Sequence, residues 1–425
     1  MNPAMKTLLI VLSATCVALS AAPKKRAVKK PPAARVSALS RAAAREYIQN
    51  SFHASQAHFE NAAALIAFFG WLEKSKSAVR PVHILQFGDS HTASDDWVNS
   101  MRMAFQAKYG DGGPGFIQAG YPFRGYRRFD ARAKASDDWI TQGTLNARTD
   151  GYDGLSGISI ATRTRDATIG TIATTAADAV LTIHYLQQPG GGALELSLDG
   201  QIVGTFPTDG ASMAGFYRAV IATPGEHQLS LRKTDAEPVR LFGWALENTR
   251  GITFETLGIN GAQIGLISEW NEVLWSDAVA QRDPSLVILA YGTNEANSRA
   301  WTEDRYRADL TAAITRVKTA APLASILLIG PPDCGRSRPL VHLSDVIAVE
   351  RDIAKTERVA FWDLRQRMGG PGSANPWVRA GYGQQDHIHL TPEGYRLAGR
   401  MIYEDIEAGY TEFLAAERKT QLNSR

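Results

Sequence analysis

Five short apolar runs constrain this chain more than any other feature of its sequence: residues 82–87, 252–257, 286–290, 325–329 and 359–362. Unbroken apolar runs of this length read as strands buried on both faces. Helical stretches, including 263–279 and 301–320, separate the last four, and strands alternating with helices form a parallel sheet covered on both sides. The prediction is an α/β domain preceded by an alanine-rich helical lead-in from Ser40 to about Ser77, with Phe59, Ala63, Ile66 and Phe69 at helical spacing. One interval does not fit. From Phe87 to Ile252 the chain is far too long for a single crossover.

Inside that interval the period falls to two. Leu181, Ile183 and Tyr185 alternate with polar neighbours, as do Leu194, Leu196 and Leu198 before the turn pair Asp199-Gly200, and then Leu229 and Leu231. Short alternating strands between Gly, Pro and Asp turns predict an antiparallel sandwich inserted into the α/β domain. The expected organisation is an export signal (1–22), a basic Pro-containing linker (23–39), the first part of the α/β domain with its leading helix (40–130), the insert (131–250) and the second part of the α/β domain (251–425).

The net charge of +3 is misleading about partners. Residues 1–45 hold nine of the 46 Lys and Arg and no carboxylate, so the remainder carries 37 basic against 43 acidic side chains. An acidic body argues against nucleic acid. The apolar run Thr7 to Leu19 follows Lys6 and ends in small residues; it is too short for a bilayer core of ~30 Å and fits a cleaved secretory signal better than an uncleaved anchor. A periplasmic or secreted location follows as an expectation. The basic residues of 24–30 could touch an anionic surface, or serve only as a solvated spacer. Loss of the signal removes Cys16, which leaves Cys334 without a disulfide partner and most simply buried.

In an open parallel sheet, sites form beyond the carboxyl ends of the strands. Four such ends carry polar, glycine-bearing turns: Gly88-Asp89-Ser90-His91-Thr92, Gly258-Ile259-Asn260-Gly261-Ala262-Gln263, Tyr291-Gly292-Thr293-Asn294-Glu295, and, beyond the fifth run, Asp386-His387-Ile388-His389-Leu390-Thr391-Pro392-Glu393-Gly394. A nucleophilic serine needs a base within hydrogen-bond reach and a carboxylate to orient it. Ser90 lies at a strand-to-helix turn. Asp386 and His389, three apart before a helix capped by Thr391 and opened by Pro392, can project to one side. On sequence alone either His387 or His389 could be the base, and the spacing of three from Asp386 favours His389. Ser90, Gly261 and Asn294 can offer N–H donors to an oxyanion. His91 could touch substrate or support the serine loop. Asp89 and Asp95 read as hydrogen bonders that fix loops, and His83, His184 and His227 as sheet residues. Tyr121 to Arg128 could stack on sugars or bridge the two parts of the fold, while Trp139, Tyr185 and Trp244 suit core packing better than sugar platforms. No cluster has zinc spacing, so no metal or other cofactor is expected.

Ser90, Gly261, Asn294 and His389, in this order, resemble the signature residues of the SGNH, or GDSL-type, hydrolases. The resemblance covers 81–128 and 252–413. It implies a flavodoxin-like three-layer fold with a five-stranded parallel sheet, a Ser90–His389–Asp386 triad, an oxyanion hole of Ser90, Gly261 and Asn294, and carboxylic ester hydrolysis. The family pattern has a hydrophobic residue after the serine, whereas His91 stands here. Gly-Asp-Ser-His, Asn260-Gly261-Ala262-Gln263 and the glycine-rich 110–116 segment are similar to bacterial peptidoglycan O-acetylesterases, a branch whose inserted sandwich, of jelly-roll type, resembles a carbohydrate-binding module. The implied substrate is acetylated cell-wall polysaccharide, with acetylated plant polysaccharide such as xylan or xyloglucan as the alternative. A non-catalytic polysaccharide-binding protein is the remaining reading, against which the intact Ser, Asp and His set argues. The insert is expected to serve the polymer, and its removal to spare hydrolysis of a small ester.

Overall fold

The computed structural model describes residues 38–54, 59–75, 77, 79–145, 149–335 and 340–423. The expected export signal and nearly all of the basic linker lie outside them. Strand β1 (Val82–Gly88) is buried at all seven positions, as an unbroken apolar run requires. Eleven strands follow before the parallel sheet resumes: β2 (Gly115–Ile117), β3 (Ala131–Ala135), β4 (Ile140–Gln142), β5 (Ser159–Thr162), β6 (Thr168–Thr175), β7 (Ala179–Gln187), β8 (Ala193–Leu198), β9 (Gln201–Pro207), β10 (Met213–Ile221), β11 (Gly225–Lys233) and β12 (Val239–Glu247). The chain then forms β13 (Ile252–Gly258), β14 (Leu286–Ala290), β15 (Ser325–Ile329) and β16 (Ala360–Trp362).

These last four join β1 in a five-stranded parallel sheet of order β13-β1-β14-β15-β16. Counted along the chain, that is the flavodoxin-like order 2-1-3-4-5, whose ligand crevice lies at the strand ends where the order reverses, between β1 and β14. Val82 pairs with Ile252 and Gly88 with Gly258, so the whole 89–251 segment leaves and rejoins the sheet between adjacent strands. One apolar core lies on each face of the sheet. The first is built on Trp97, Met101, Phe105 and the helix Pro392–Asn423, the second on Trp275, Ile314, Val317 and Val346.

The intervening strands form two antiparallel sheets, β10-β7-β12-β5-β4 with β2 also on β12, and β3-β6-β11-β8-β9. Side chains from both sheets, among them Leu181, Trp244, Leu196, Leu229 and Leu231, share one core. Alternation is imperfect in β7 and β12, where Thr182, His184, Leu186, Phe242 and Ala245 are buried as well. The second face of that sheet packs on the α/β domain: Leu186, Ala214 and Phe242 meet Leu274 of the helix Glu272–Arg282. Tyr185 and Trp244 are core residues, and the half-buried Trp139 donates to Thr168 O (3.0 Å). Arg127 and Arg128 bridge: Arg127 bonds Ser94 O and Asp96, and buried Arg128 bonds Phe116 O, Pro114 O and Asp130.

Two helical expectations are corrected. The stretch 263–279 is not one helix: a 3-10 turn, Ile264–Glu269, ends where Trp270 turns extended, and Asn271 restarts the chain by accepting from Leu274 N (3.0 Å). The lead-in is likewise broken into Ala38–Ala54, Ala62–Leu65 and Ile66–Lys74, with Phe59 and Phe69 buried and Ile66 exposed.

The connection from β4 to β5 alters what the insert is for. Leu155 and Ile158 sit in the same core as Ile259, Ala262 and Ile264; Gly151 O accepts from Asn271 N (3.0 Å), and a β-carbon at Gly157 would stand 2.0 Å from the Trp270 ring. The insert therefore packs beneath the loop after β13. Deleting 135–245 is expected to abolish hydrolysis of a small aryl acetate, contrary to the expectation from sequence; retention of near wild-type kcat by a folded deletion protein would show that this packing is dispensable. Among the described residues no helix is long and apolar enough to cross a membrane.

Candidate active site

The serine turn is made possible by two glycines. Past β1 the short helix Ser90–Ala93 drops onto the sheet end, so close that a β-carbon at Gly88 would lie 2.2 Å from Thr92 Oγ1 and one at Gly258 2.3 Å from Ala93 N. Asp89 caps the turn by accepting from His91 N (2.9 Å). The half-buried Ser90 is thereby presented at the carboxyl end of β1, at the crevice the topology defines.

His389 comes from the opposite side of the sheet. Gln384 holds its loop, donating from N to His389 O (2.8 Å) and from Nε2 to Leu390 O (2.9 Å). Thr391 then starts the last helix, accepting at Oγ1 from Gly394 N (3.2 Å) while donating to Gly381 O (2.8 Å), and Pro392 is its first residue. The two histidines are placed differently. His389 Nε2 lies 3.0 Å from Ser90 Oγ and its Nδ1 2.7 Å from Asp386 Oδ2. His387 sits in a left-handed turn (φ 57°), is buried, and contributes its carbonyl to Gly335 N (3.0 Å).

Asp386 is well prepared to hold the imidazole. Burial alone would raise its carboxyl, but the bond to the His389 ring and those from Ile388 N and His389 N (3.0 Å each) outweigh it and hold the group below its ordinary value. With Asp386 ionised and Nδ1–H donating to it, Nε2 is free to take the Ser90 proton.

Gly261 lies in the turn closed by Ala262 N to Ile259 O (3.1 Å), at φ +79°, a conformation that selects glycine. Asn294 donates from Nδ2 to Ala262 O (2.9 Å) and, over 3.3 Å, to Asp89 Oδ2. Both amide protons are thus engaged, and donation to an oxyanion requires the longer bond to be shared or released. Asn294→Ala is expected to lower kcat by about 10²- to 10³-fold, the usual cost of one oxyanion donor; unchanged kcat would remove Asn294 from the site.

Three supporting residues carry more than their motifs suggested. Asp89 is buried and pushed up to about 7 by desolvation, despite its bond from His91 N. Glu295, pushed up to about 7 by burial, accepts from Ile264 N (2.6 Å) and Gly292 N (3.0 Å) and so ties the loop after β14 to that after β13. Gln263 Nε2 adds a bond to Asn294 O (3.2 Å). Glycine-rich polar loops gave no signal for this bracing.

His91 supports the serine loop from behind. It is buried, its Nδ1 is 2.9 Å from Tyr395 Oη, and its ring lies 5.3 Å from that of His389. Burial, and then the neighbouring His389, depress its pKa from 6.5 to about 3. The folded protein therefore refuses a proton that the unfolded chain accepts, and the penalty grows as pH falls from 6.5 toward 3. Relative to His91→Gln, the wild type should lose stability between neutrality and about pH 5, as read from urea midpoints; parallel pH dependences would contradict a neutral His91.

The other singled-out residues are structural. Asp95 accepts from Arg102 Nη2 (2.7 Å), Phe129 N (3.0 Å) and Thr256. His83 lies 2.8 Å from Thr253 Oγ1, His184 packs between Phe116 and Phe216, and His227 meets Asp199 (2.7 Å). Cys334 is buried, its thiol raised by desolvation, with Sγ 3.2 Å from Pro332 O.

Comparison with known proteins bears on the fold and the class of chemistry. The profile of the GDSL-like Lipase/Acylhydrolase family matches residues 228–397. Among solved structures, a peptidoglycan O-acetylesterase matches at 26% identity over 83% of this chain and 97% of that one, with a TM-score of 0.71. An active-site mutant of a family two carbohydrate esterase from Clostridium thermocellum (13% identity, 59% of this chain and 94% of that one) and a family two carbohydrate esterase from Cellvibrio japonicus (12%, 67% and 99%) give TM-scores of 0.31 and 0.27, too low to bear on the fold. No curated protein sequence gives a match. The chain is a carboxylic ester hydrolase that is similar to the GDSL-like, or SGNH, family over residues 228–397, and its structure resembles that of a peptidoglycan O-acetylesterase.

Proposed function

We propose that this protein is an exported serine esterase that removes O-acetyl groups from peptidoglycan. The observation that carries the mechanism is the contact of Ser90 Oγ with His389 Nε2 at 3.0 Å, backed by Asp386 at 2.7 Å. Ser90 Oγ attacks the acetyl carbonyl and its proton passes to His389 Nε2. The N–H groups of Ser90 and Gly261, with the Asn294 amide, receive the oxyanion. As the ester C–O bond breaks, His389 gives its proton to the departing sugar hydroxyl, leaving acetyl-Ser90. Water then attacks the acetyl carbonyl while giving a proton to His389, and as the Ser90 Oγ–acetyl bond breaks His389 returns that proton to Oγ, which releases acetate and restores the enzyme.

Peptidoglycan is chosen over plant polysaccharide because Gly88-Asp89-Ser90-His91 is the block type of that branch, and because the well-matched structure is itself a peptidoglycan O-acetylesterase. The two-sheet insert is assigned to holding the polymer, as a jelly-roll carbohydrate-binding module would. Acetate release from O-acetylated peptidoglycan and from acetylated xylan, with Ser90→Ala as control, tests the substrate. Release from peptidoglycan is expected; release from xylan alone would overturn the assignment.

A further inference from the structure

We infer that Leu145, which belongs to the insert, walls the acyl side of the active site and limits the acyl group to a short one. This rests on the assignment of Gly261 as an oxyanion donor. Leu145 Cδ1 stands 2.7 Å from the position a β-carbon would take on Gly261, so that methyl packs against the glycine. A carbonyl oxygen accepting from Gly261 N–H at about 3 Å has that methyl in its neighbourhood. Leu145 is nonetheless 56% exposed, a large apolar side chain left open beside the reacting centre.

Topology says which side it faces. Gly261 follows β13, an edge of the parallel sheet; His389 follows β16, at the other edge; Ser90 follows β1 between them. His389 must protonate the departing alcohol, so that group leaves toward His389; the oxyanion is held at Gly261, and the acyl substituent, bonded to the same carbon, is assigned to the side where Leu145 stands. Two residues before Leu145, a β-carbon at Gly143 would stand 2.0 Å from Gly157 O, and Gly151, Leu155, Gly157 and Ile158 are themselves anchored on the loop after β13.

The test is the acyl-chain profile. With 4-nitrophenyl acetate and butyrate, Leu145→Ala should raise the butyrate-to-acetate ratio of kcat/KM by roughly tenfold or more, the scale on which an apolar pocket discriminates methylenes. Leu145→Phe should move the ratio the other way. Circular dichroism and melting temperature verify folding of each variant, and Leu145→Met, which keeps the volume, should retain the wild-type profile. An unchanged ratio in a folded Leu145→Ala protein overturns the inference, including the case where both esters slow equally. Ser90→Ala separates the two levels: if it abolishes turnover while the Leu145→Ala ratio stays fixed, the triad stands and the wall does not, and if it remains active the assignment of Ser90 as nucleophile, and with it the site, falls first.

Discussion

Ser90→Ala is expected to lower kcat for ester hydrolysis by on the order of 10⁶-fold, with His389→Ala close behind and the double variant no worse than either. In the proposed mechanism these two side chains act as one unit. The hydroxyl is a poor nucleophile until His389 Nε2, 3.0 Å away, takes its proton, and the imidazole has nothing to activate once the hydroxyl is gone. Residual rate should come from the oxyanion donors, which remain. His387→Ala should stay within about tenfold of wild type, because triad membership carries the large effects. Rate constants from stopped-flow assays decide the matter; additive losses for Ser90 and His389, or equal losses for His387 and His389, would show that the unit is wrongly drawn.

The largest stability effect is expected at a residue far from the chemistry. Arg282 is 1% exposed and stands among Glu255 (2.5 Å), Glu247 (2.7 Å) and the Nδ1 of His83 (2.9 Å). These partners come from β13, β12 and β1, so one guanidinium ties the antiparallel insert to the parallel sheet. Burial raises the Glu255 carboxyl against the pull of Arg282, and burial then the arginine keep His83 neutral and lower its pKa. Arg282→Ala leaves buried carboxylates without their cation, which costs about 3–5 kcal/mol where a buried pair is broken from one side. Urea denaturation should show that loss; a change below about 1 kcal/mol would mean that water or rearrangement replaces the arginine.

The sequence spoke clearly where physical constraints are local. Unbroken runs such as Leu286–Ala290 read as strands buried on both faces, and the polar turns beyond the strands read as facing the crevice, where the structure brings Ser90 and His389 to 3.0 Å. It was silent where burial depends on a partner distant in the chain. The period of two in β7 implies one wet face, yet Leu186 lies against the α/β domain and His184 is buried against Phe116. The break at Trp270 is set by the insert packing on its ring, which no propensity encodes. The Arg282 cluster joins residues almost two hundred positions apart, visible only once β1, β12 and β13 are neighbours. Leu145 is one leucine in a polar stretch, and nothing in its flanks points to Gly261.

The central claim is that Ser90 itself carries the acyl group between the two halves of the reaction. Rapid-quench mixing with 4-nitrophenyl acetate, followed by peptide mass spectrometry, tests this directly. One acetyl group on the peptide containing Ser90 is expected at early times, disappearing with turnover and absent from Ser90→Ala. Acetyl on a different residue at catalytic rates, or a burst undiminished in Ser90→Ala, would contradict the account.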